Sequence, residues 1–305
     1  MDFRFSGLIA APYTPLRPDG ALDLKVVPGY ADLLWRNNLK AVFICGTTGE
    51  FASLSDEERQ QLTEQWVRAA GDRLRVIVHV GHTVLGNAQG LAAHAAASGA
   101  TAIGCMAPWF FKPKSIDELV AWCKAVASSS PALPFYYYHM PSMNGVNLPV
   151  AEFMRAAGKS IPSFAGIKYS HEDLDELSRC VEEAGSRWEV FMGRDELLLE
   201  GLKRGVHGAV GSTYNYSAPL YHRIIESQRA GDHKEAIRLQ NAAIEMISIC
   251  NSTGTSHLAA SKPLMATLGV DCGAARPPLT NPTAAQTEFI QTKLRAVGFS
   301  ESACH

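Results

Sequence analysis

The 305-residue sequence has little of what announces many function classes. It has no excess of either charge: 28 Lys and Arg stand against 30 Asp and Glu, a net charge of −2, with no local Lys/Arg run. That removes the electrostatic footprint of a nucleic-acid binder. No apolar stretch reaches the roughly 18–20 residues of a membrane span. The opening MDFRFSGLIAAPYTP is too short and broken for a signal peptide. The seven cysteines (Cys45, Cys105, Cys123, Cys180, Cys250, Cys272, Cys304) never form C-x-x-C. A disulfide framework or zinc knot is thereby excluded, and buried thiols in a reducing, cytoplasmic setting are expected. Neither G-x-G-x-x-G nor a P-loop marks a strand-to-helix turn, and H-E-x-x-H is absent. His79 and His82, three apart at a strand end, are expected on opposite faces, a poor metal pair.

What is present is a periodic array. Eight short apolar, β-branched or aromatic runs begin at Phe5, Ala41, Arg75, Thr101, Pro134, Phe164, Glu189 and His207. Helix-like stretches lie between them. The one containing DEERQQLTEQWVRAA opens with a capping box, Ser55 and Glu58, and carries Leu62, Trp66 and Ala69 at helical spacing. A second, opening at Ser115, shows Leu119, Trp122 and Val126 in the same pattern. Continuous apolar strands alternating with amphipathic helices imply a parallel sheet covered by helices. Eight of them favour an α/β fold of the (β/α)8 TIM-barrel type. After Asn215 the pattern becomes purely helical, at about 218–229, 232–251, 257–268 and 283–297. The expected organisation is a barrel over 1–215 carrying the active site and a C-terminal helical extension over 216–305.

In such a barrel the site lies at the C-terminal ends of the strands, so the polar residues closing each run are the informative ones. The second run ends Gly46-Thr47-Thr48-Gly49-Glu50, a tight turn able to face an anion, though an ordinary strand-to-helix turn reads the same way. The fifth ends Tyr136-Tyr137-Tyr138-His139, where alternation puts Tyr136 and Tyr138 on one face and Tyr137 and His139 on the other. Aromatic core explains it equally well. The sixth is the strongest clue, because Lys168 closes a nearly apolar strand with no carboxylate before Glu172. Such a lysine either snorkels or serves as an amine nucleophile. At the reference pKa near 10.4 only about one amine in 2500 is neutral at pH 7, so Schiff-base chemistry calls for an apolar setting. The seventh and eighth runs end Gly193-Arg194-Asp195-Glu196 and Gly211-Ser212-Thr213-Tyr214-Asn215. With Ser170 they put hydroxyls and carboxylates on one rim, which suits a polyhydroxylated ligand.

Taken in order and spacing, G-T-T-G-E, Y-Y-Y-H-M-P, G-I-K, G-R-D-E and G-S-T-Y-N resemble the dihydrodipicolinate synthase/N-acetylneuraminate lyase family, in its N-acetylneuraminate lyase subgroup. The likeness runs over nearly the whole chain, and FYYYHMP and APWFFKP look closer to animal-type members. It implies a Schiff-base aldolase that cleaves N-acetylneuraminate to pyruvate and N-acetylmannosamine. Another pyruvate-dependent aldolase or dehydratase acting on a 2-keto-3-deoxy sugar acid is the alternative. By position, Lys168 would be the Schiff-base lysine and Tyr138 the catalytic phenol. Thr47 and Thr48 would hold the carboxylate, and Ser170, Gly193, Asp195, Glu196 and Ser212 would line the sugar-tail pocket. The resemblance further implies a homotetramer and no metal or organic cofactor. Dihydrodipicolinate synthases carry an Arg shortly after the catalytic Tyr; here Met143 follows Ser142. They also use a second Tyr after the fourth strand, where this chain has Trp109-Phe110-Phe111. Proton transfer is therefore expected to fall to Tyr138 with Thr48, water or the substrate carboxylate.

Overall fold

A computed structural model describes residues 5–305. All eight expected runs are strands: β1 (Gly7–Ala10), β2 (Ala41–Ile44), β3 (Arg75–His79), β4 (Ala102–Met106), β5 (Phe135–His139), β6 (Phe164–Tyr169), β7 (Glu189–Met192) and β8 (Gly208–Gly211). Each pairs in parallel with the next and β8 returns to β1, so the sheet closes into a barrel. The strands read as continuous apolar runs because one face meets the barrel interior and the other meets helices.

The outer helices are α1 (Val27–Arg36), α2 (Asp56–Ala70), α3 (Leu85–Ala97), α4 (Ile116–Ala127), α5 (Val150–Ser160), α6 (Leu174–Ala184), α7 (Leu198–Lys203) and α8 (Tyr214–Arg229). Both halves of the α2 capping box form: Glu58 N–H donates to the Ser55 hydroxyl and Ser55 N–H to the Glu58 carboxylate. The buried stripe of α2 is Arg59, Leu62, Thr63, Trp66 and Ala70, so Ala70 rather than Ala69 ends it. Arg59 is inside because its guanidinium has work there, donating to the carbonyls of His79 (2.7 Å) and Gly81 (3.1 Å) beyond β3.

Position 215 falls within α8, the helix that follows β8 and packs on β1. Ser217 is non-helical and Pro219 follows, so α8 is kinked just inside its start. Beyond it come α9 (His233–Asn251), α10 (His257–Ser261) running into a 3-10 segment (Lys262–Leu268), and α11 (Ala284–Ala296). These match the expected helices, with the third tightening to 3-10 geometry. Among the described residues no helix is long and apolar enough to cross a membrane.

Candidate active site

β5 and β6 are in register with Tyr138 opposite Lys168, and partners in a parallel pair point to the same side. Both therefore enter the barrel, and both are buried. Tyr137 lies on the other face against Phe153 of α5, with ring centres 4.5 Å apart. Tyr136, one pleat below Tyr138, hydrogen-bonds Glu189 at the closed end of the barrel. The alternation expected from sequence is the one observed.

The Lys168 ammonium position lies 4.0 Å from the centre of the Tyr138 ring and 4.3 Å from that of Phe43. Among the described residues no carboxylate is within ion-pair distance of it. Gly104 makes room for this wall, since a Cβ there would stand 2.7 Å from the Phe43 ring. His79 completes it, its ring 5.7 Å from that of Tyr138. Burial pushes the His79 pKa well below the usual imidazole range, with Arg59 adding to the effect. The ring is thus neutral, and Nδ1, 2.9 Å from the Cys45 carbonyl, carries the proton it donates.

The Tyr138 hydroxyl is 3.1 Å from Thr47 Oγ1 and 2.9 Å from Met140 Sδ. The hydroxyl beside the phenol is thus that of Thr47, whereas Thr48 lines the cavity next to it. After β4, Trp109 packs edge-on against Phe51, and Phe110 and Phe111 face outward, 74% and 87% exposed.

A cavity of about 400 Å³ opens above these groups. Its lining includes every residue singled out from sequence: Thr47, Thr48, Tyr138, Lys168, Ser170, Gly193, Asp195, Glu196 and Ser212. Asp195 is buried in the cavity wall, with Oδ2 accepting from Thr213 N–H (2.9 Å) and Thr213 Oγ1 (2.7 Å). Burial raises its pKa, and the Thr213 bonds oppose that shift. Glu196 pairs with Arg194 at 2.7 Å. The Ser170 hydroxyl donates to the Gly193 carbonyl at 3.1 Å.

Sequence reasoning missed one side of this cavity. Ile247 and Asn251 of α9 and His257 and Leu258 of α10 form it, although these helices carry no motif. His257 Nδ1 meets Asn251 Oδ1 at 3.1 Å. Among the described residues no three His, Cys, Asp or Glu side chains gather as a metal site.

A closed (β/α)8 barrel with a buried lysine, a phenol and two threonines at its open mouth defines a barrel enzyme of carbonyl chemistry. The chain belongs to the dihydrodipicolinate synthetase family, whose model matches residues 4–297. It is 39% identical to the N-acetylneuraminate lyase of Danio rerio, over 95% of this chain and 96% of that one. Against the Gallus gallus N-acetylneuraminate lyase the identity is 41%, covering 94% and 93%. The solved Proteus mirabilis N-acetylneuraminate lyase superimposes with a TM-score of 0.94 at 38% identity, covering 97% of this chain and all of that one.

Proposed function

We propose that this protein is a Schiff-base aldolase that reversibly cleaves N-acetylneuraminate to pyruvate and N-acetylmannosamine. One observation carries the reading: a buried lysine, with no carboxylate at ion-pair distance among the described residues, lies 4.0 Å from the ring of a tyrosine whose hydroxyl is bonded to Thr47. In the mechanism, neutral Lys168 attacks the C2 ketone of the open-chain sugar, and loss of water leaves an iminium. That cation is the electron sink, so the step needs no metal or organic cofactor. Tyr138 takes the C4 hydroxyl proton, directly or through the substrate carboxylate, and the C3–C4 bond breaks. N-acetylmannosamine leaves, the enamine is reprotonated at C3, and hydrolysis frees pyruvate and Lys168.

Thr47 and Thr48 receive the substrate carboxylate, with Thr47 also orienting the phenol. Ser170, Gly193, Asp195, Glu196 and Ser212 meet the polyol tail. Position supports these roles, because all line one cavity with Lys168. Barrel and helical extension act as one unit here, since α9 and α10 supply part of the wall. A homotetramer fits the exposed Phe110 and Phe111, large apolar side chains that a subunit contact would cover. Cytoplasmic residence fits seven free, buried thiols. The test supplies N-acetylneuraminate and, separately, 2-keto-3-deoxygluconate, following pyruvate by coupled reduction. Turnover of the first well above the second is expected. The reverse preference would move the protein to the sugar-acid aldolases.

A further inference from the structure

The turn Cys45–Glu50 carries Thr47 and Thr48, and both of its ends are in the left-handed region, Cys45 at φ 53° and Glu50 at φ 56°. Neither is glycine. L residues hold that conformation where surrounding contacts over-determine it, and such positions concentrate at ligand clamps. At the first end, His79 Nδ1 donates to the Cys45 carbonyl at 2.9 Å. Between them, the Thr14 hydroxyl donates to the Gly49 carbonyl at 2.6 Å. At the second end, Glu50 Oε1 accepts from Lys262 Nζ at 2.7 Å, and Glu50 Oε2 accepts from the Arg276 N–H at 2.7 Å.

The Glu50 and Lys262 side chains are 0% and 1% exposed. Lys262 opens the 3-10 segment of the helical extension, 212 residues from its partner, and also donates to the Ala274 carbonyl at 3.1 Å. Arg276 fastens the same stretch to the barrel through the carbonyls of Gly20 and Ser53 and the Glu58 carboxylate. A fully buried ion pair is poor glue, because its desolvation offsets its attraction and apolar replacements are often no less stable. What such a pair supplies well is a fixed geometry, here imposed on the one carboxylate three residues from Thr47.

We propose that Lys262 and Glu50 are positioning residues for substrate: the extension reaches into the barrel mouth and locks the Thr47–Thr48 turn in the conformation that receives a 2-oxo acid carboxylate. The inference rests on the aldolase reading and on those two threonines as the carboxylate site. It assigns the extension a part in binding the pyruvate unit, apart from the wall that α9 and α10 give the sugar tail.

The test uses the full chain, pyruvate as probe and borohydride to trap the adduct. Half-saturation, saturating trapping rate and melting temperature are measured for Lys262→Met and for the neutral pair Glu50→Gln/Lys262→Met, which leaves no lone buried charge should the single variant fail to fold. The expected result is a half-saturation raised about tenfold or more, equivalent to about 1.4 kcal/mol, with the saturating rate held within about threefold. Leu294→Ala, buried in α11 away from the site, should lower the melting temperature and leave half-saturation alone. A folded Lys262 variant with wild-type half-saturation overturns the proposal, as does a fall in saturating rate alone. A wild-type protein that forms no pyruvate adduct overturns the aldolase reading beneath it.

Discussion

Gly211→Ala is a small change with a large expected consequence. Gly211 ends β8, and a Cβ built there stands 1.7 Å from Asp195 Oδ1, 2.4 Å from Cγ and 2.6 Å from Oδ2. Ordinary van der Waals contact for a Cβ begins at about 3.4 Å, so the carboxylate must retreat by about 1.7 Å. Its two bonds from Thr213, at 2.9 and 2.7 Å, do not survive that movement. Hydrogen bonds to a charged group contribute about 1.5–3 kcal/mol each. If the equivalent of one is lost from the transition state that holds the sugar tail, kcat/KM for N-acetylneuraminate falls about tenfold to hundredfold. Lys168, Thr47 and Thr48 sit on β6 and after β2, away from the displaced carboxylate. Borohydride trapping of pyruvate should therefore keep its wild-type half-saturation. Steady-state kinetics on the sugar, pyruvate trapping and a thermal melt together read the outcome. A kcat/KM within about threefold of wild type would refute the tail-pocket assignment of Asp195. Equal losses in both assays would show that the barrel mouth distorts as a whole.

Two further outcomes are expected. Tyr138→Phe removes the hydroxyl bonded to Thr47 and keeps the ring over Lys168, so pyruvate adduct should still form while turnover drops by about 10²–10⁴-fold; equal loss of adduct would deny the phenol its proton-transfer role. Acidification should destabilise the fold through His79 and His139, which burial holds well below the usual imidazole pKa, His139 at about 3. The unfolded rings bind protons below about 6.5 and the folded ones resist them, so stability is full above that pH and is lost as pH falls below it, for His139 down to about 3. For His139 the cost from pH 7 to 5 is about 2 kcal/mol, visible as a falling melting temperature, and His139→Phe should flatten that slope.

The barrel was legible because its strands are buried on both faces, which leaves unbroken apolar runs at intervals a βα unit can span. The site was legible for a related reason. Closure brings eight strand ends to one rim, so reading the polar residue after each run, Lys168 after Gly166-Ile167 above all, amounts to reading one cavity. Contacts over long chain separations were not legible. Asn251 and His257 sit on helices whose pattern serves packing, and only tertiary approach brings them over the barrel mouth. Lys262 looks like one more lysine in a Ser-Lys-Pro segment until the fold sets it on Glu50. The choice between Thr47 and Thr48 as neighbour of the phenol was likewise out of reach, since it depends on how a turn with left-handed ends points two adjacent hydroxyls. Trp109-Phe110-Phe111 showed a missing tyrosine but not that two of its rings face outward.

The central claim is that Lys168 is the amine that carries the substrate carbon. The protein is incubated with pyruvate, reduced with borohydride, digested and mapped by mass spectrometry. One reduced pyruvyl adduct is expected, on the peptide containing Lys168, and it should be absent from Lys168→Ala. An adduct on another lysine, or none at all, would contradict the account.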